Sequence, residues 1–369
     1  MGTVSAGVQY VKRLKIFETE VPFQSFVDIP EDAPDQRKTN LEFTINIESF
    51  GDMRDNINSF SLDKHGFMVK QEPLPFSSEF FTRREEVEKL YFPELERIIG
   101  EVCGEVEKVH FFDWRVCPPA ELTMPNAATD RIATEQLRSS KISNSTGVID
   151  LYDPTAWLLP ANRVHIGRCL LTSAMFCCLV VADSAAPRPE PGCSSPQSFV
   201  AFPTRGRAAS SGACTNTKVS WYHKSALYLP SAMANSRVLS FWRPISHPVE
   251  DYPLAVCEAS SVSQDDLLEC DHIRKKYIGS TVFLTHKDGY KWRYLSDHRP
   301  DEILVMKMFD SDAGVARRKY SGLLLLRTGE ELTMADCPHV SFKNPRASEN
   351  SQPRQSIEVR ALVFSSLKE

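Results

Sequence analysis

The sequence predicts an α+β protein: a double-stranded β-helix, or jelly roll, preceded by an N-terminal extension that contains a helix. Three observations carry this. Short apolar or alternating runs recur from Val238 to Phe309 with turn residues between them. One stretch, Thr82 to Val102, repeats its apolar residues at helical spacing. A last alternating run, Ser356 to Phe364, ends the β-rich half.

The elements follow in order. Leu41 to Ile47 alternates, with Phe43, Ile45 and Ile47 on one side. Asp63 to Phe67 (DKHGF) reads as a turn entering a short strand, which makes His65 a solvated turn residue before it is a ligand. Thr82 and Glu85 have the spacing of a capping box. Beyond them Val87, Leu90, Tyr91, Leu95, Ile98, Ile99 and Val102 mark a helix packed on a core, with Pro93 placed to break or kink it. Leu170 to Val181 (LLTSAMFCCLVV) is almost wholly apolar but too short to span a bilayer. Ser184 to Ser211 is Pro-, Ser- and Gly-rich and reads as loop or disorder. Val238–Ile245, Tyr252–Val256, Thr281–Thr285, Lys291–Leu295 and Asp301–Phe309 read as strands, with an acidic turn or helix at Asp265 to Leu268. In the final run Ile357, Val359, Ala361 and Val363 share one face, and Glu358, Arg360, Leu362 and Phe364 the other.

Composition sets the class. Apolar residues make up 42% and charged residues 25%, as in soluble globular proteins. A net charge of −5 without a basic, aromatic-interleaved run argues against a nucleic-acid surface. The ten cysteines contain no C-x-x-C pair, so neither a zinc ribbon nor a disulfide framework is indicated. The first residues (MGTVSAGVQYVKRLK) lack the apolar core of a signal peptide, and Ala6 stands where myristoylation wants Ser or Thr. A cytoplasmic, reducing setting without a membrane is the expectation.

One stretch near the C-terminal end carries chemistry. His339 is followed fifteen residues later by Arg354, with Ser356 two further on at the start of a strand. A histidine can ligate Fe(II), and a guanidinium can hold the distal carboxylate of 2-oxoglutarate through two parallel hydrogen bonds, with a serine hydroxyl beside it. The same spacing is met by a surface histidine and arginine flanking an ordinary strand.

The wider pattern is more specific. FWRPI, EDYPLAVCEASSVSQDDLL, KWRYLSDHRPDEILVMKMFDSD, PHVSF and PRQSIEVRALVF resemble the fungal AsaB-type hydroxylase/desaturase family, as do TNLEFTINIESFGDMRDN, DKHGF, EEVEKLYFPELERII and LRSSKISNSTGVIDLYDPTAWLLPANRVHI. The resemblance covers most of the chain, residues 1–369 reading as one oxygenase-like domain. It implies a non-haem iron, 2-oxoglutarate-dependent oxygenase of secondary metabolism, using Fe(II), 2-oxoglutarate and O2 on a small natural product.

The family pattern expects His-x-Asp after PANRV, whereas this chain has His165-Ile166-Gly167. A facial triad needs two histidines and one carboxylate. Three tracts break the pattern: 116–136, 167–182 and 318–336. Each can be back-translated as a fungal-type intron. Val116-Cys117 can read GTATGT and Gln136 CAG; Gly-Arg-Cys from Gly167 can hold GTAGGTGT; Arg-Lys-Tyr from Arg318 can hold GTAAGTAT. Ala182-Asp183 and Ala335-Asp336 can both read GCAG then AC. Each tract also contains Leu-Thr, compatible with a CTGAC branch site. Removing the tracts joins Ile166 to an aspartate codon and restores His-x-Asp, with Asp183 as the carboxylate. The other reading keeps them as genuine loops.

The resemblance then implies His165, Asp183 and His339 on iron, and Arg354 and Ser356 on 2-oxoglutarate, with no catalytic residue beyond the metal site. Arg243 and Lys307, on strands, read either as further co-substrate or supporting contacts or as partners of carboxylates at a strand end, and Trp242, Trp292 and Tyr294 line the pocket or pack the core. Taken literally, His165-Ile166-Gly167 instead suggests a catalytically impaired homologue supporting an active subunit. A homodimer and a heterodimer both stay open.

Overall fold

The computed structural model describes residues 2–29, 31–117, 161–166, 234–273, 278–310 and 337–366. Tract 167–182, tract 318–336, the apolar run Leu170 to Val181 and the Pro/Ser-rich run from Ser184 lie outside these residues. So do all of tract 116–136 after Cys117 and the proposed ligand Asp183.

The described chain is mostly sheet. Its strands are β1 (Thr3–Val11), β2 (Phe23–Ser25), β3 (Phe43–Asp52), β4 (Phe67–Gln71), β5 (Lys108–Cys117), β6 (His165–Ile166) and β7 (Ala234–Pro244). They continue with β8 (Leu254–Cys257), β9 (Leu267–Ile273), β10 (Ile278–Leu284), β11 (Trp292–Tyr294), β12 (Glu302–Asp310), β13 (His339–Ser341) and β14 (Ser356–Ser366). One sheet runs β1-β3-β11-β8-β13-β6-β10-β9-β2 and the other β4-β12-β7-β14-β5. Gln9 and Val11 of β1 also bridge to Arg163 and Thr285, so the first sheet curls back on its own edge. The result is jelly-roll-like, as the strand spacing predicted.

Core clusters define the layers. Val256, Ile166 and Val282 of the first sheet pack with Val238, Trp242, Leu304, Met306 and Leu362 of the second, so one core lies between the sheets. The second sheet's other face carries Leu239, Phe241, Ile303, Val305, Ile357, Val359 and Val363 against Val87, Tyr91, Leu95, Ile98 and Ile99. The alternation of β14 therefore separates two interiors: its odd-numbered apolar residues meet the helix, and Leu362 and Phe364 meet the inter-sheet core.

Several expectations are corrected. The capping box does not form, because the Thr82 hydroxyl donates to the Glu79 carbonyl (2.7 Å) instead of turning forward. Pro93 does not break the helix. It falls in the first turn of α1 (Phe92–Cys103), where a missing N–H costs nothing, after a π-turn at Val87–Tyr91. Phe43, Ile45 and Ile47 do alternate, but among the described residues Ile45 and Ile47 are 69% and 72% exposed. Gln264–Asp266 is a short 3-10 turn that leads into β9, a strand the sequence reading left out, as it did β1, β2 and β5. His65 accepts the Ser61 N–H on its Nδ1 and serves its own turn.

Candidate active site

His339 and His165 are directly opposed residues of β13 and β6. Opposed residues of an antiparallel pair point to the same face, so the sheet itself brings together two histidines 174 positions apart in the chain. Their ring centroids are 4.5 Å apart with planes at 55°. The pairing continues to Val256 on one side and Phe283 on the other, which fixes both strands from outside.

Each imidazole is fixed by its own strand. His165 Nδ1 lies 2.8 Å from the Arg163 carbonyl, and His339 Nδ1 lies 3.0 Å from the Cys337 carbonyl. A carbonyl only accepts, so the proton of each neutral ring sits on Nδ1 and the lone pair on Nε2. His339 Nε2 is buried and has no hydrogen-bond partner. Burial, and then the neighbouring His339, pushes His165 down to about 3. Burial also lowers His339, with Glu358 opposing. Both rings are therefore neutral at pH 7, the form that ligates metal. Among the described residues no third His, Cys, Asp or Glu completes a metal-holding group.

Arg354 stands at the same end of the interior. It is 6% exposed, and its Nη1 donates to the Tyr252 carbonyl and to Ser341 Oγ, both at 2.7 Å. Its guanidinium lies 5.3 Å from the Trp242 ring centroid. Its Nε is buried without a partner. Ser356 is buried but is not among the contacts of Arg354.

Further along β14 comes a polar ladder. Glu358 Oε1 accepts from Ser240 Oγ (2.7 Å) and Arg360 Nε (2.9 Å), and Arg360 reaches Asp113 at 3.4 Å. Desolvation raises the Glu358 carboxyl, but Arg360, His339 and the bond from Ser240 outweigh it and hold the group down at about 2. Glu358 and Arg360 bear on both histidines with opposite sign.

The remaining expectations divide. Arg243 is on β7 with Leu239 and Phe241, on the helix-facing side, and donates to the carbonyls of Pro300 (2.7 Å from Nε) and Glu72 (2.6 Å from Nη2). The strand alternation that turns Trp242 inward turns Arg243 away from the histidines, so it is not a co-substrate contact here. Lys307 is fully buried and spends its ammonium on Asp63 (3.1 Å) and Asp310 (3.0 Å). Trp292 and Tyr294 pack in a separate core, where Trp292 donates to the Tyr10 hydroxyl. The sequence reading passed over Ser341, Glu358 and Arg360. The signal was present: Ser341 has the strand parity of His339, and two charges interrupt the inward face of β14.

Comparison with known proteins bears on the family and the fold. The model of the oxidoreductase/YMDC permease-like domain family matches residues 8–141 and 215–364. Aspirochlorine biosynthesis protein N of Aspergillus oryzae is 30% identical over 35% of this chain and 48% of its own length. The Fe(II)/2-oxoglutarate-dependent dioxygenase nvfI of Aspergillus novofumigatus is 34% identical over 35% of this chain and 40% of its length, and the hydroxylase/desaturase asaB of Aspergillus flavus 32% over 34% and 54%. The matches thus span about half the length of these curated relatives or less. Among solved structures, the iron and alpha-ketoglutarate-dependent endoperoxidase NvfI superposes with a TM-score of 0.62 over 99% of both chains at 19% identity, a likeness of fold. No described helix is long and apolar enough to cross a membrane. The chain belongs to the oxidoreductase/YMDC permease-like domain family, and its curated relatives include the AsaB-type hydroxylase/desaturases that its motifs resemble.

Proposed function

We propose that this protein is an Fe(II)- and 2-oxoglutarate-dependent oxygenase with a double-stranded β-helix core, a cytoplasmic hydroxylase or desaturase tailoring a small molecule in fungal secondary metabolism. The observation that carries the reading is the cross-strand pair His165–His339, with both Nδ1 protons committed to carbonyls and the His339 Nε2 lone pair buried and unmet. The two neutral imidazoles fit two of the three protein ligands of an iron site, and the unpartnered Nε of Arg354 fits a carboxylate. The relatives named as Fe(II)/2-oxoglutarate dioxygenase and hydroxylase/desaturase support the same class.

Here His165 and His339 hold Fe(II), with Asp183 as the third ligand. Arg354 holds the distal carboxylate of 2-oxoglutarate, and Ser356 at the mouth of β14 adds a hydroxyl to that end. When bound, iron would let O2 act as the oxidant that breaks an unactivated C–H bond, while 2-oxoglutarate supplies two electrons and leaves as succinate and carbon dioxide. The chain's own work is to fix the two imidazoles, anchor the co-substrate and keep the interior dry. Trp242, Val256 and Ile166 serve that last role.

Asp183 acts only if the tracts 116–136, 167–182 and 318–336 are retained introns in this one-domain chain, which is the reading we adopt. Sequencing the transcript across the three junctions tests this. For the function, anaerobic titration should give about one Fe(II) per chain, and once O2 is admitted 2-oxoglutarate should be converted to succinate and carbon dioxide. A chain that binds no iron in either the given or the shortened form would sink the proposal.

A further inference from the structure

The contacts of Arg354 distinguish its two faces. A guanidinium has five N–H groups: one on Nε and two on each Nη. Both hydrogens of Nη1 are committed, one to the Tyr252 carbonyl and one to Ser341 Oγ, each at 2.7 Å. Nε is buried and unpartnered, and the bonds the guanidinium makes to described residues are the two from Nη1. Nε and Nη2 lie on one edge and point in parallel, the geometry that accepts both oxygens of a carboxylate. The opposite edge, Nη1 with Nη2, is closed because Nη1 is full.

Two neighbours hold the group in this attitude. Trp242, 5.3 Å from the guanidinium carbon, supports its plane. Ser341 supports its rotation and belongs to the same three-residue strand as His339. Residues two apart on a strand leave the sheet on the same side, so β13 carries a metal-ligand candidate at one end and the serine that steers the arginine at the other. Ser341 is 2% exposed and sits against the buried Arg354, so its hydroxyl is not a solvated surface group.

We propose that Ser341 is a positioning residue for 2-oxoglutarate: by occupying Nη1 of Arg354 it presents the Nε–Nη2 edge as the fork that takes the distal carboxylate. The inference rests on the reading of Arg354 as the co-substrate anchor and adds which edge acts and what sets it.

Calorimetry on the full chain, with Co(II) in place of Fe(II), tests it. Two ligands are compared: 2-oxoglutarate, and 2-oxopentanoate, which keeps the chain length and the 2-oxo acid head but lacks the distal carboxylate. Ser341→Ala should weaken 2-oxoglutarate about tenfold, equivalent to about 1.4 kcal/mol, while leaving the affinities for 2-oxopentanoate and Co(II) unchanged. Ser341→Thr, which keeps the acceptor, should bind 2-oxoglutarate within about threefold of the parent protein. Equal weakening of both ligands, or no weakening of either, overturns the role of Ser341. If instead Arg354→Met binds 2-oxoglutarate as the parent does, or the parent does not bind it, the anchor itself is misassigned and the functional reading falls with it.

Discussion

Acid should weaken this fold earlier than carboxylate chemistry alone would require, because it buries neutral histidines. His298 is 2% exposed, donates from Nε2 to the Glu302 carbonyl at 2.9 Å and meets the Trp242 ring edge-on. Burial pushes it down to about 4. The unfolded chain titrates near ~6.5. The folded value lies below the unfolded one, so the unfolded state takes up the proton first. Its contribution to stability is complete above the unfolded value and is lost as pH falls below it, at about 1.4 kcal/mol per pH unit, until the folded value is reached. Between about pH 6.5 and pH 5 this removes about 2 kcal/mol for His298 alone. His339, also lowered by burial, acts in the same direction. Burial raises Asp251, Asp271 and Glu48, which take up protons in the folded state and offset part of the loss. A comparison with His298→Gln isolates one group, since glutamine keeps a donor for Glu302 without the titration. Urea unfolding of metal-free protein should show the stability gap between parent and variant shifting by about 2 kcal/mol in the variant's favour from about pH 7 to about pH 5. A gap that stays constant across that range would refute the reasoning.

Other perturbations separate the site from the scaffold. His339→Ala and His165→Ala should each weaken Co(II) or Fe(II) on the order of 100-fold or more, since loss of supporting groups alone costs metal sites 10- to 100-fold; equilibrium dialysis reads this, and unchanged affinity would remove the pair from the metal. Lys307→Met removes the ammonium that pairs with Asp63 and Asp310, and should cost about 3 kcal/mol of unfolding free energy without altering metal affinity. Arg243→Lys loses the paired donation to Pro300 and Glu72 and should destabilise by about 2 kcal/mol, while 2-oxoglutarate affinity stays at the parent value. A changed affinity there would return Arg243 to the co-substrate site.

Much of this protein is legible in the chain itself. The alternation from Ser356 to Phe364 is a period-2 signal that by itself sorts Ile357, Val359, Ala361 and Val363 onto one face, the face that packs on the helix. His339 and Arg354 stood out in the sequence because the spacing of a strand histidine and an arginine just before the last strand is a local property. The capping box failed for a local reason too: Thr82 had a nearer carbonyl, that of Glu79, to satisfy. What pattern could not supply was direction and partner. Arg243 and Trp242 are neighbours with equal claim to a site, and only the sheet's orientation sends one to the histidines' side and the other to the helix. Ile45 and Ile47 form an apolar face as expected, yet they are exposed among the described residues, because periodicity shows that a face is apolar and not what covers it. The meeting of His165 with His339 is tertiary in the same sense. It depends on β6 and β13 pairing in one register, a choice made by long-range hydrogen bonds and the packing of Val256 and Phe283 beside them, which no window along the sequence contains.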